Sequence, residues 1–151
     1  MVERLAQRLE ENPDDFEGWL RLGRAYQVLA RHDEAAEAYA RAVSLRPQDT
    51  RALEGQAQAL LSTAGDEIAA PKSALTVLRK LLEVQPDNAR ALWFLGLDDA
   101  RRGDHPAAIA KWESLLAQMQ PGSPQYDSLQ AGIAELKRKL TDDPKEPSAR
   151  Q

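Results

Sequence analysis

Apolar residues recur along most of this chain at spacings of three and four with polar residues between them, which is the pattern of amphipathic helices. The first such segment covers residues 1–12. The helical pattern is interrupted at Pro13, Pro47 and Pro86. The last amphipathic segment, residues 125–140, has leucine and isoleucine on one face and charged residues elsewhere. The pattern predicts about eight helices and an all-α fold.

A denser pattern from Phe16 to Asp49 is typical of one repeat family. It reads W-x-x-L-G-x-x-Y, then A-x-x-x-aromatic, A and P, at Trp19, Leu22, Gly23, Tyr26, Ala35, Tyr39, Ala42 and Pro47. This resembles the tetratricopeptide repeat (TPR), a helix pair that needs neighbouring pairs to bury its apolar face. Gly23 falls at the predicted helix crossing, where a side chain would separate the two helices.

The same offsets from the prolines predict two further repeats. Repeat 2, residues 50–87, is degenerate, and its second helix comes five residues late because the turn from Thr63 to Pro71 is longer. We interpret the extra residues as a surface loop. Repeat 3, residues 88–121, returns to regular spacing, with Gly103 as a helix stop.

We therefore predict one TPR domain over residues 1–140, forming a superhelical array of three repeats. An N-terminal half-repeat helix (1–12) and a C-terminal capping helix (125–140) flank the three repeats, of which the first is 16–49. Asp14 and Glu17 have the spacing of a capping box for the first repeat. Residues 141–151, rich in charge and proline, are predicted to be a disordered tail.

Composition and charge narrow the classes of function. No segment approaches the roughly 20 apolar residues that a membrane span needs, so we expect no membrane contact. The net charge of −4 argues against nucleic-acid binding. Met1 opens directly into an amphipathic helix without a secretory signal, which suggests either a cytoplasmic chain or a piece of a longer protein.

Candidate catalytic and metal-binding residues are few. The chain has no cysteine, and its two histidines, His32 and His105, fall in equivalent turns of repeats 1 and 3. We favour turn packing over a metal or catalytic role for both. Carboxylate pairs such as Asp98-Asp99 are expected to be solvated, Asp98-Asp99 on an exposed helical face. The sequence thus predicts no enzyme, metal or cofactor.

A peptide-binding groove is the favoured functional surface, because the first helix of each pair lines the concave face of such an array. The predicted groove residues are Leu20, Arg24, Gln27, Arg51, Glu54, Gln58, Leu61, Arg90, Trp93, Leu97 and Arg101. Trp93 is predicted to be a hydrophobic anchor, because Leu92 already fills the core position beside it. The alternative is that Trp93 packs against the next helix pair. Trp19 and Trp112 are assigned to the core.

Longer stretches narrow the resemblance. Met1-Val2-Glu3-Arg4-Leu5, the run from Leu9 to Asp15, Ala91-Leu92-Trp93 and Pro121-Gly122-Ser123-Pro124 resemble the periplasmic domain of CcmI/CycH-type cytochrome c biogenesis proteins. That resemblance implies a periplasmic domain of a membrane-anchored protein. It also implies a chaperone that holds the C-terminal helix of apocytochrome c for the haem-ligation machinery, with other maturation proteins as partners.

Two other readings stay open at the level of sequence. One is a general interaction scaffold, such as a co-chaperone that clamps the C-terminal carboxylate of a heat-shock protein. Such a clamp needs Lys and Asn at groove positions where this chain has Leu20, Arg24, Gly55, Arg90 and Phe94, and of these only Arg90 fits. The other is a purely structural assembly module.

Overall fold

The computed structural model describes residues 1–65 and 69–142. Within those ranges the chain forms eight α-helices and no β-strand, as the apolar spacing predicts. The helices are α1 (Val2–Glu11), α2 (Phe16–Val28), α3 (His32–Leu45), α4 (Thr50–Thr63), α5 (Lys72–Val84), α6 (Ala89–Arg101), α7 (His105–Leu116) and α8 (Pro124–Asp142).

The chain divides into two compact units, Met1–Asn88 and Ala89–Gln151. In the first unit each helix packs on the next, and α2 also contacts α4. Leucine, alanine and aromatic side chains from α1 to α4 form its main cluster of buried residues. Trp19 belongs to this cluster, as predicted, and its indole Nε1 donates to the carbonyl of Pro13 at 2.8 Å.

Close packing around Tyr39 explains two glycines of the first unit. A Cβ atom on Gly23 would lie 2.8 Å from the Tyr39 ring, and one on Gly55 would lie 2.3 Å from it. Real Cβ atoms essentially never approach a neighbour so closely. The prediction that Gly23 marks a tight approach between α2 and α3 is therefore confirmed. Gly55 likewise marks a tight approach between α4 and α3.

In the second unit, α7 packs against both α6 and α8. Trp112 of α7 is buried, as predicted for a signature aromatic position. A Cβ atom on Gly96 of α6 would lie 2.4 Å from the Trp112 Nε1 atom. Trp112 of this unit therefore has a glycine of the preceding helix against its ring, as Tyr39 has in the first.

The N-terminus of α2 differs from the predicted capping box. The N-cap residue is Asp15, and its carboxylate accepts a hydrogen bond from the Gly18 amide at 2.9 Å. Glu17 instead forms an ion pair with Arg51 at 3.1 Å. The assignment of Asp14 and Glu17 as a capping pair is therefore wrong, because the helix begins one residue later than it requires.

Two predicted irregular segments fall partly outside the described residues. α4 continues through Thr63 and α5 begins at Lys72, while residues 66–68 of the lengthened turn lie outside the described part. α8 continues to Asp142, two residues beyond the predicted end, and the Thr141 hydroxyl donates to the Arg138 carbonyl at 2.8 Å. The rest of the predicted tail, residues 143–151, also lies outside the described ranges.

Candidate functional site

Leu20, the first of the predicted groove residues, does not reach the surface. Its exposed fraction is 2%, and it belongs to the buried cluster of the first unit. The prediction that it lines an exposed groove is therefore wrong. Leu20 lies on α2, which contacts α4 as well as α3, so a residue beside the Trp19 position is covered from two directions.

Three other predicted residues of the first unit are engaged within the fold. The Gln27 Oε1 atom accepts a hydrogen bond from the Tyr39 hydroxyl at 2.8 Å. The Arg51 guanidinium pairs with Asp49 as well as with Glu17, and Glu54 accepts from the Asn88 side-chain amide at 2.9 Å. A ligand at these positions would have to compete with existing partners.

The remaining predicted residues of the first unit are more accessible. Arg24 and Gln58 are exposed, and Leu61 is half-buried. They offer one cation, one amide and one apolar side chain on α2 and α4. This is a sparse surface for peptide recognition.

In the second unit the predicted residues form a single stripe on α6. Arg90, Trp93, Leu97 and Arg101 follow one another at spacings of three or four, so they lie on one face of this helix. Arg90 and Arg101 are exposed, and Leu97 is half-buried. We call this set the α6 stripe.

Trp93 is the large apolar residue of the α6 stripe, with an exposed fraction of 40%. Its indole stacks on Trp112, with ring centroids 5.5 Å apart and planes inclined by 18°. The Trp112 Nε1 atom also donates to the backbone carbonyl of Trp93 at 3.3 Å. Trp93 is thus held in place by a buried aromatic partner while nearly half of it stays in contact with solvent.

Beside the two indoles is a pocket of about 500 Å³, formed by α6, α7, α8 and the segment between α7 and α8. Its lining is mostly apolar and carries no charged side chain: Trp93, Trp112, Leu115, Met119, Pro124, Gln125, Ser128, Leu129 and Gly132. We call it the tryptophan pocket. A pocket of this volume, mostly apolar with a few polar groups, is typical of ligand sites.

The sequence pattern does not predict that α8 contributes to this pocket, because it indicates only a capping helix there. Gln125, Ser128, Leu129 and Gly132 occur at spacings of three and four and share one face of α8. Two of these residues are small. A helix face with serine and glycine opposite a tryptophan was the available signal, since small residues leave space that large ones would fill.

The acidic residues of α6 are neutralised internally. Asp99 is only 6% exposed, and its carboxylate pairs with Lys111 at 2.5 Å and with Arg102 at 2.8 Å. Asp98 pairs with Arg102 at 3.0 Å. The expectation that Asp99 is solvated is wrong, because it joins α6 to α7 as a buried ion pair.

Neither end of the α6 stripe has such a partner. Within the described residues, Arg90 and Arg101 make no ion pair. The stripe therefore presents two positive charges with Trp93 and Leu97 between them, although the chain as a whole is acidic.

The described ranges show no other chemical centre. They contain no group of three or more His, Cys, Asp or Glu side chains placed to hold a metal ion. His32 is half-buried, and its Nδ1 atom has no hydrogen-bond partner there. Nor does any described helix combine the length and apolar character that crossing a bilayer requires.

Comparisons with known proteins give the family. The profile described as "Cytochrome c-type biogenesis protein H TPR domain" matches residues 4–126. The cytochrome c-type biogenesis protein CycH of Pseudomonas aeruginosa is 30% identical over 149 residues, which is 99% of this chain and 36% of that protein. The corresponding CcmH of Escherichia coli is 28% identical over 134 residues, 89% of this chain and 38% of its own length. The chain thus spans little more than a third of these relatives.

Solved structures agree on the fold. A crystal structure of MamA has a TM-score of 0.63 at 19% identity, covering 93% of this chain and 86% of that one. The first TPR of Spaghetti (RPAP3), bound to an HSP90 peptide, has a TM-score of 0.58 at 13% identity and covers 84% of this chain and 94% of its own. The predicted all-α TPR fold is confirmed. With the profile matching most of its length, the chain belongs to the TPR-domain family of cytochrome c-type biogenesis protein H.

Proposed function

We propose that this chain is a peptide-binding chaperone domain for apocytochrome c. It holds the C-terminal helical segment of the apoprotein, in the periplasm, for delivery to the haem-ligation machinery and its other maturation proteins. Two lines of support are the family profile and the relatives named for cytochrome c-type biogenesis. Because the chain matches about a third of those relatives, the membrane anchor belongs to the remainder in this proposal.

The single observation that carries the proposal is the setting of Trp93. A large aromatic side chain that is 40% exposed, fixed by stacking and placed at an apolar pocket, has the properties of a binding hot spot. An amphipathic helix can place its apolar stripe against such a site while its polar face stays in water.

Selection against mature cytochrome follows from the same contact. A folded c-type cytochrome buries the apolar stripe of its C-terminal helix, so the residues that would bind at Trp93 are no longer available. The domain then distinguishes apoprotein from folded protein without a separate recognition element.

The test is a calorimetric titration of a synthetic C-terminal apocytochrome c peptide into the parent and a Trp93→Ala variant. Loss of a hot-spot aromatic costs about 2 kcal/mol or more, so the variant should bind roughly thirtyfold more weakly. Val28→Ala, at an exposed apolar residue of the first unit, is the control and should bind like the parent. Circular dichroism and melting curves must show that each variant keeps its fold.

The outcomes separate the possible roles. Equal affinities for parent and Trp93→Ala would remove Trp93 from the site. No binding of the peptide to the parent would contradict the apocytochrome proposal. Enrichment of unrelated assemblies, rather than c-type apoproteins, from a periplasmic extract would favour a general scaffold.

A further inference from the structure

The second unit combines two features, an uncharged apolar pocket and a stripe with a cation at each end. We propose that this site selects a helix that presents one large apolar side chain between acidic residues. This inference rests on the proposed peptide-binding function and adds the chemistry that the peptide must have.

The tryptophan pocket sets the first requirement. Trp112, Leu115 and Leu129 form a buried apolar base, and the flanking Gln125 and Ser128 of α8 are neutral. With about 500 Å³, the pocket holds one large apolar side chain together with a smaller one from the next turn of a helix. A charged side chain there would lose its hydration without gaining a partner.

The α6 stripe sets the second requirement. Arg90 precedes Trp93 by about one turn, and Arg101 follows it by about two, so the two cations are about 16 Å apart along the helix axis. A ligand helix lying along α6 with its anchor at Trp93 passes both guanidinium groups. Carboxylates about three turns apart on that ligand can then reach Arg90 and Arg101, and arginine binds carboxylates in a two-point geometry.

The carboxylates of α6 and Glu113 of α7 are not available to a basic ligand. The carboxylates of α6, Asp98 and Asp99, already pair with Arg102 and Lys111. Glu113 of α7 pairs with Lys137 of α8 at 2.8 Å. Basic flanks on a ligand would find these carboxylates occupied, and would be repelled by Arg90 and Arg101.

The experiment uses three synthetic helical peptides that share one alanine-rich host sequence. The first has a central leucine with glutamates about three turns apart around it, the second has lysines in place of the glutamates, and the third has alanine in place of the leucine. Titration by calorimetry, with tryptophan fluorescence as a second readout, should show that the first peptide binds roughly three- to tenfold more tightly than the second. The reason is that only the first peptide can form two exposed ion pairs with the α6 stripe. The third should bind at least tenfold more weakly than the first.

Two sets of protein variants assign the effect to the site. Arg90→Glu with Arg101→Glu should reverse the preference between the acidic and basic peptides, whereas the control pair Arg4→Glu with Arg21→Glu, with the same change in net charge on α1 and α2, should not. Ser128→Phe, which fills the pocket from α8, should weaken the leucine peptide at least tenfold. Gln130→Phe, exposed on the same helix and outside the pocket lining, should leave it unchanged.

The results distinguish this inference from the proposed function. An apocytochrome peptide that binds through Trp93, together with equal affinity for the acidic and basic peptides, overturns the charge requirement and leaves the chaperone role standing. Preference for the acidic leucine peptide without apocytochrome binding supports the inference and contradicts the chaperone role. No binding of any designed peptide overturns the inference.

Discussion

Ala30 and Gly103 occupy the same place in two helical hairpins: each is the second residue after the end of the first helix and lies two residues before the start of the next. Each has a positive φ, 57° for Ala30 and 83° for Gly103. In each hairpin the next residue's amide donates to the carbonyl five residues earlier, at 2.9 and 2.8 Å. These bonds form a Schellman motif, whose left-handed residue is usually glycine because other residues pay a steric cost there.

The first prediction concerns this strained alanine. Ala30→Gly should stabilise the protein by about 0.5 to 1 kcal/mol, because the relief of a left-handed alanine exceeds the extra entropy of a glycine in the unfolded chain. The reverse change, Gly103→Ala, should destabilise by a similar amount. Urea unfolding at unchanged m-value measures both. A lower midpoint for Ala30→Gly would show that the alanine carries no such strain.

The same pair shows what the sequence could and could not predict. Gly103 is recognisable as a helix stop because glycine is favoured in the left-handed conformation. Ala30 is not, since alanine is the best helix former and nothing local marks its positive φ. The signature positions Trp19 and Gly23 were predictable because fixed spacing defines the repeat.

Exposure of the candidate site was harder to predict. Leu20 and Trp93 hold equivalent positions of two repeats, yet one is 2% exposed and the other 40%. The difference depends on the next helix, since α4 contacts α2 directly and α8 packs mainly on α7. Likewise, the burial of Asp99 depends on Lys111, which is twelve residues away on α7, so the pattern of α6 by itself does not predict it.

The second prediction compares two glycines that face the same indole. A Cβ atom on Gly96 would meet Trp112 at 2.4 Å, whereas one on Gly132 would lie at an ordinary contact distance of 3.5 Å. Gly132→Ala should therefore stabilise α8 by about 0.5 to 1 kcal/mol through helix propensity. Gly96→Ala should destabilise by about 1 to 2 kcal/mol, because overpacking exceeds that gain. Thermal melts of the two variants check the contrast, and equal shifts would contradict the assigned packing.

The third prediction concerns the buried ion pair between α6 and α7. Asp99→Ala leaves the partly buried Lys111 without its partner and should cost about 2 to 3 kcal/mol, less than the roughly 3 to 5 kcal/mol of a fully buried pair, because Lys111 is partly exposed. Glu135→Ala, which removes the exposed partner of Arg138, is the matched control and should change stability little. Urea unfolding of both variants makes the comparison. A small effect of Asp99→Ala would mean that solvent screens the pair.

The last prediction concerns Tyr39 at high pH. Burial raises the pKa of the Tyr39 hydroxyl, and the positive charge of Arg24 opposes that rise only in part. Because the folded-state pKa is above the unfolded value of about 10, the contribution of Tyr39 to stability is complete below that pH and is lost as the pH rises through the folded pKa. Tyr39→Phe removes this titration together with the hydrogen bond to Gln27, which costs about 0.5 to 1.5 kcal/mol at neutral pH. Urea unfolding from about pH 8 to about pH 11 should therefore show that the difference in free energy of unfolding between parent and variant becomes smaller above about pH 10. A difference that stays constant over this range would contradict the raised pKa. Lysine titrations are common to both proteins and cancel in the comparison.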